Sequence, residues 1–427
     1  MKALIVSHNS FSTYQSMGKT FCTLFSAFKK ENLCQLYVYP TVPDIDCCSS
    51  FYRITDKDVL LFFKRLKVYG KEIRPEDVDE SVHNLYENPK DESFYRNKRN
   101  KSSFRILARD FLWTITPWFN SSLKKWLRKN DITHVFVAPG EYKFIYDVAI
   151  KCANFLKVPI ITYVCDEFFF VEKKTRLLDK VKDCLLRKKM IRLMNKSSAI
   201  ITISEEMKCL YEPFFKKPTN VIMTGSSFPI SSAPLKRAEI RDLTYMGNLS
   251  CNRYVSICEI GDALDEINQT REENFTLNVY TKENNSAILE ELSKRKSIKM
   301  KGFVTGDEFS RVFHSAQCLL HVEAFDEISI DRVKNSISTK IADCLGAGIP
   351  LLAYGPSNIA SMKHLIRNKS SFVINEKEEL VEKLLFFLSM SENDKSAIVE
   401  NALRTAQKYH FSELNGKKLY NLIDSIK

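Results

Sequence analysis

The sequence predicts an α/β protein built from two doubly wound units, each a mostly parallel sheet covered by helices on both faces, with a cleft between them. Three observations carry that expectation. Short apolar runs alternate with longer helical patterns along most of the chain, as when parallel strands are joined by crossover helices. A stretch rich in glycine, serine and proline, GSSFPISSAP at 225–234, interrupts the alternation just past the middle and reads as a linker. At 427 residues the chain suffices for two or three domains, with a core that needs neither disulfides nor metals.

The expected boundaries are 1–228 for the first unit, 235–408 for the second, and 409–427 for a terminal helix packing back on the first. In the first unit, strands are expected at 3–7, 36–39, 135–138, 160–164, 199–203 and 221–223. Helices are expected at 17–30, 56–69, 103–113, 119–129, 142–155 and 174–195. The charged stretch 53–100, together with the basic run Arg96-Asn97-Lys98-Arg99-Asn100-Lys101, reads as an insertion or surface arm. In the second unit, strands are expected at 243–245, 276–280, 298–301, 318–321 and 350–354. Helices are expected at 256–267, 286–293, 306–315, 338–345, 376–390 and 394–407. Leu414, Leu419, Leu422 and Ile423 give the last segment an apolar stripe. In open parallel sheets ligands bind beyond the carboxyl ends of the strands, so that is where site residues are sought.

Composition narrows the function classes. An apolar fraction of 44% and a charged fraction of 27% exclude a wholly disordered or fibrous chain. Sixty-four Lys and Arg against 52 Asp and Glu leave a formal charge of +12, which favours acidic partners such as nucleotide phosphates or an anionic membrane. No zinc module, aromatic sheet motif or dominant basic stripe points to nucleic acid. The 12 cysteines form no C-x-x-C pair and read as reduced thiols of a cytoplasmic protein. The seven histidines show no metal-ligand grouping, so no metal is expected from local spacing. The first residues lack a signal-peptide core and no run of 18 apolar residues occurs, so membrane contact is expected to be peripheral.

Four stretches are candidates for chemistry. Gly18-Lys19-Thr20 ends like a phosphate-binding loop, but Thr13 stands where that motif needs its first glycine. Gly18 instead reads as a close-approach residue at a helix start. In Gly247-Asn248-Leu249 with Arg253, a strand ends, a glycine turns the chain, and a guanidinium follows. A diphosphate fits there, and so does an ordinary loop. In Ser336-Ile337-Ser338-Thr339-Lys340, Ser338 or Thr339 is placed to cap a helix. Lys340 in its first turn opposes the helix dipole unless an anion is near. Asp343, one turn on, suits sugar or ribose hydroxyls, and Glu323 and Asp326 follow an apolar strand as hydroxyl-binding or charge-steadying carboxylates.

In this order the second half resembles the donor-binding half of retaining GT-B glycosyltransferases (family 4-like, group 1), which have two Rossmann-like domains. The Ser-x-Ser-Thr-Lys form before Asp343 is similar to a branch of bacterial capsule, exopolysaccharide and lipopolysaccharide enzymes. The resemblance implies transfer of a sugar from a UDP- or GDP-linked donor to a saccharide acceptor, with retention of configuration, no cofactor, and neither a protein nucleophile nor a general base. It implies that Arg253, Lys340 and Lys282 steady the leaving diphosphate, with Gly247, Asn248, Ser338 and Thr339 around it and Asp343 on the ribose. It leaves Glu323 and Asp326 both open for the first acidic position. Asn248 stands where that family commonly has arginine. The acceptor would fall to His8, Gly18, Glu141, Asp166 and Glu167 of the first half. A GT-B-like epimerase or phosphorylase is the alternative of the same shape.

The remaining basic residues suggest a lipid-linked acceptor on an anionic membrane. Lys173, Lys174, Arg176, Arg187, Lys188, Lys189 and Arg192 surround one expected amphipathic helix. Trp113, Trp118, Phe119 and Trp126 lie beside Lys124 and Lys125 in another region.

Overall fold

Short buried apolar runs of the first half become strands of one sheet. In the computed structural model, which describes residues 1–13, 16–78, 95, 102–170, 176–235, 239–271 and 274–426, the chain divides into two units. The first comprises Met1–Thr224 together with Ser412–Lys427, and the second Gly225–Phe411. The basic run 96–101 and Lys173-Lys174 lie outside the described residues.

In the first unit β1 (Ala3–Ser7), buried throughout, is flanked by β2 (Leu33–Tyr37) and β5 (His134–Val137), both parallel to it. The sheet continues through β3 (Ser50–Arg53) to β4 (Lys71–Ile73) on one side. On the other it continues through β6 (Ile160–Val164) and β7 (Ser197–Thr202) to β8 (Thr219–Val221). Among the described residues only β4 runs antiparallel, at the edge. Because the chain order reverses across β1, the carboxyl ends of β1 and β5 open a crevice. Both β3 and β4 are absent from the sequence expectation. At four and three residues, in charged surroundings, they are too short for a two-residue period to register. The supposed insertion thus contributes an edge strand.

Helix Ser412–Asp424 belongs to this unit. It buries Leu419 and Ile423, lays Tyr420 against Phe28, and brings Gly416 so near Ser26 that a Cβ there would sit 2.6 Å from the Ser26 Oγ. The three tryptophans correct the sequence reading. Trp113, Trp118 and Trp126 are all buried, with the Trp118 indole donating to the Trp113 carbonyl (2.9 Å). They are core, not an interfacial belt.

In the second unit β9 (Asp242–Met246), β10 (Thr276–Tyr280), β11 (Ile298–Gly302), β12 (Cys318–Val322), β13 (Leu351–Tyr354) and β14 (Phe372–Ile374) form an all-parallel sheet, ordered β11-β10-β9-β12-β13-β14. Its switch point lies between β9 and β12. The linker is anchored to this unit: the Ser231 and Leu235 amides donate to the Gly346 and Gly348 carbonyls, 2.8 Å each. This is why the division falls at Thr224 rather than at 228.

Candidate functional site

At the switch point of the second sheet, Gly247 follows β9 and Glu323 follows β12, and beside them sits a recess lined by Tyr245, Arg253, His321, Ser338, Lys340 and Asp343, among others. Gly247 is set by sterics. A Cβ on it would lie 1.7 Å from Lys340 Nζ and 2.6 Å from Cε, so the lysine stem crosses the space that any side chain would fill. The amine sits 5.0 Å from the centre of the buried Tyr245 ring. Burial, and then Arg253, lower the Lys340 pKa to about 8, against the upward pull of Glu323.

Arg253 opens helix Arg253–Arg271 and reaches back across the recess mouth. Its Nη2 lies 2.8 Å from Glu323 Oε2 and donates to Oε1 at 3.1 Å, its Nε donates to Oε2 at 3.0 Å, and its Nη1 donates to Asn248 Oδ1 at 3.3 Å. Glu323 is all but fully buried. Burial raises its pKa while Arg253 and Lys340 oppose that shift. Beside the pair, His321 Nε2 lies 3.4 Å from Glu323 Oε1. Burial, Arg253 and Lys340 hold the His321 pKa down at about 3, so the ring is neutral near pH 7. Two cations thus converge on one recess, where Glu323 pairs with Arg253 and Asp343 is engaged with the linker, so Lys340 is the cation placed to meet an added anion.

The other second-unit residues take varied places. The first helical turn begins at Lys340, and helix Lys340–Gly346 has no side-chain cap. Thr339 occupies the cap position without bonding, and the Ser338 amide donates to Ser361 Oγ (3.0 Å), so the expected capping is absent. Asp343 Oδ1 accepts from the Ser227 amide (2.7 Å) and the Ser226 hydroxyl (3.3 Å), clasping the linker. Asp326 caps helix Glu327–Val333, accepting from the Ser329 amide (3.0 Å) and the Asn252 side chain (3.1 Å). Lys282 is exposed, its amine 3.9 Å from the Phe303 ring centre. Sequence reasoning passed over His321 and Tyr245. The visible signal for the first was a single imidazole in the otherwise apolar run Cys318–Val322.

In the first unit, His8 follows β1 and packs beside Tyr39, Tyr142 and Phe144, at 5.8, 5.4 and 5.3 Å between ring centres. Gly18 lies inside helix Ser16–Leu24, where a Cβ would sit 2.5 Å from the Ser10 carbonyl oxygen. Glu141 pairs with the buried Lys182 at 3.3 Å. Glu167 is buried and accepts from the Phe169 and Phe170 amides (2.8 and 2.9 Å) and the Tyr211 hydroxyl (3.2 Å). Its neighbour Asp166 is exposed. Among the described residues, Cys22, Asp44 and Cys47 of the first unit bring ligand-type atoms within 4.8 Å of one another. None of the three lines the recess described above.

Comparison with solved structures fits this architecture. Anabaena HepE, solved in complex with UDP, is similar over 100% of both chains at 12% identity, with a TM-score of 0.60. The fold is GT-B. A sucrose-phosphate synthase from Thermosynechococcus elongatus matches this GT-B chain over 99% of its length and 98% of its own, at 11% identity and a TM-score of 0.63. An α,α-trehalose-phosphate synthase (UDP-forming) from Burkholderia vietnamiensis matches over 100% of both, at 9% identity and a TM-score of 0.60. Residues 262–419 of the GT-B chain match a family model described as glycosyl transferase-like. No curated protein sequence matches it.

Proposed function

We propose that the protein is a retaining glycosyltransferase that moves a sugar from a nucleoside-diphosphate sugar to a lipid-linked saccharide acceptor at an anionic membrane. One observation carries the donor side: Lys340 and Arg253 meet in a recess at the sheet switch point, where Gly247 leaves room for the lysine. The Anabaena HepE complexes with UDP and with UDP-glucose favour UDP over GDP.

The bond from the anomeric carbon to the diphosphate breaks, and an acceptor hydroxyl forms the new bond from the same face. The hydroxyl proton passes to a leaving phosphate oxygen. Lys340 and Arg253 steady the charge that develops on that diphosphate, while neutral His321 adds no competing cation. Asp343 takes the ribose hydroxyls beside its linker bonds, Lys282 reaches the phosphates from β10, and Ser338, Thr339 and Asn248 line the approach. Glu323 orients Arg253, and Asp326 holds the loop of Asn252. His8, Gly18, Glu141, Asp166 and Glu167 mark the acceptor end of the first unit. No step requires a metal.

The membrane side rests on surface chemistry. Among the described residues no helix is long and apolar enough to cross a membrane. Helix Leu177–Lys196 is not amphipathic as expected. It buries Leu186, Met190, Leu193 and Met194 yet also exposes Leu177, Leu178, Val181 and Leu185 among Arg176, Lys180 and Lys188. Exposed leucines between lysines support an inner, anionic plasma-membrane face as the surface this helix meets, and with it a cytoplasmic location.

A thermal-shift panel of UDP, GDP and their sugar conjugates tests the reading. UDP stabilisation of several degrees, lost in Lys340→Ala, is expected. A panel in which no nucleotide shifts the parent protein would refute it.

A further inference from the structure

The first unit holds a second cavity. It measures about 220 Å³ and lies between helices Asp56–Arg65 and Ser103–Ile115. An apolar cavity of about 150 Å³ suffices for a benzene-sized molecule, so this one admits a segment of hydrocarbon chain. Val59, Leu60, Ile106, Leu112 and Trp113 give it apolar walls, and Phe104 stands at its rim, 67% exposed. The surroundings continue the same character. Helix Ser103–Ile115 packs against both Asp56–Arg65 and Leu177–Lys196. The three helices together expose Phe63, Phe111, Leu177 and Leu178 beside Lys57, Lys64, Arg105 and Lys180.

One wall breaks the apolar pattern. Arg109 lines the cavity although it is 91% buried (9% exposed). Its Nε donates to Asp56 Oδ1 (2.8 Å), which also accepts from the Trp113 indole (2.9 Å). Its guanidinium carbon lies 4.1 Å from the Tyr142 ring centre, on the side where His8 packs. Asp56 and Tyr142 fix the plane of the fork, but among the described residues Arg109 Nη2 has no hydrogen-bond acceptor. A buried donor without an acceptor is costly, and guanidinium is the group best shaped for phosphate.

We propose that this cavity seats the hydrocarbon chain of a phosphate-bearing, lipid-linked acceptor, with Arg109 Nη2 donating to the phosphate nearest the chain. The proposal rests on the lipid-linked acceptor reading and deepens it. The chain enters from the apolar, basic surface of the three helices, and the saccharide beyond the phosphate is held at the end of the sheet where His8 and Tyr142 lie. Sequence reasoning placed no role on Arg109, because its partner Asp56 is 53 residues away.

The test is binding of farnesyl phosphate, farnesol and inorganic phosphate to the full chain, each with UDP as a second, separate ligand. Farnesyl phosphate should bind the parent protein at least tenfold more tightly than either fragment. Ala108→Phe, which fills the cavity, and Leu60→Asp, at its rim, should each weaken farnesyl phosphate at least tenfold while the UDP-induced thermal shift persists. Arg109→Lys should weaken farnesyl phosphate but leave farnesol unchanged. Equal farnesyl phosphate affinity in the parent, Ala108→Phe and Leu60→Asp proteins would overturn the cavity assignment. So would inorganic phosphate binding as tightly as the lipid. A parent protein that binds farnesyl phosphate but not UDP would leave the cavity standing and refute the donor reading instead.

Discussion

At the scale of single residues, the second-unit recess depends on what each side chain denies to its neighbours. Gly247 is small so that Lys340 can pass. Gly247→Ala should therefore displace the amine and weaken UDP about tenfold, roughly the loss of one charge-assisted hydrogen bond, with little change in unfolding free energy. Calorimetric titration beside a urea melt separates the two. Arg253→Ala should behave differently. It leaves Glu323 buried without its guanidinium partner and should cost about 3–5 kcal/mol of stability as well as nucleotide binding. Lys340 sets a pH dependence. Its pKa of about 8 lies below the ordinary lysine value, and a bound diphosphate would raise it. Binding then takes up a proton, so UDP affinity should hold steady below pH 8 and fall above it, approaching tenfold per pH unit. Titrations from pH 7 to 9.5 check this.

At the scale of elements, what was legible depended on length and on sequence distance. Most of the long helices and five-residue strands carry enough apolar pattern to be read, although helix Glu205–Phe215 was not expected and strand Leu33–Tyr37 was expected at 36–39. The segments Ser50–Arg53, Lys71–Ile73 and Phe372–Ile374 do not, and they are held by their neighbours in the sheet rather than by their own propensity. In the recess, Lys340 and Arg253 were readable because each opens a helix, Arg253 after a strand and Lys340 after a short helix, with a local reason to be there. That Arg253 pairs with Glu323, 70 positions away, was not readable. Nor was the clasp of Asp343 on Ser226 and Ser227, since nothing in either stretch names the other. Helix Leu177–Lys196 was expected to have one apolar face and has apolar side chains inside and out. Leu178→Glu with Leu185→Glu should accordingly reduce retention on anionic vesicles at least several-fold, each residue lying among lysines whose attraction to the surface is worth about 1 kcal/mol. Co-sedimentation at low salt measures it, and unchanged retention would remove this helix from the membrane face.

At the scale of the whole molecule, acid stability follows from buried imidazoles in the second unit. Both His321 and His364 are held near pKa 3, chiefly by burial, with nearby Arg253 and Lys340 acting on the first and His410 on the second. Unfolded, each would titrate near 6.5. The unfolded chain therefore binds protons first as pH falls, so stability should drop below about pH 6.5 and level off near pH 3. The slope is about 1.36 kcal/mol per pH unit for each histidine once below its unfolded value. Denaturant midpoints at pH 7 and 5 should reveal it, with His321→Gln flattening the slope by about one histidine's share. The proposed division of labour between a nucleotide-holding second unit and an acceptor-holding first unit rests in the end on one anion-binding recess. The most direct measurement is the ratio of UDP to uridine affinity in the parent and Lys340→Ala proteins at pH 7. If Lys340 grips the diphosphate, UDP binds far more tightly than uridine in the parent, and the mutation narrows that gap at least tenfold while leaving uridine binding unchanged. A gap of the same size in both proteins would contradict it.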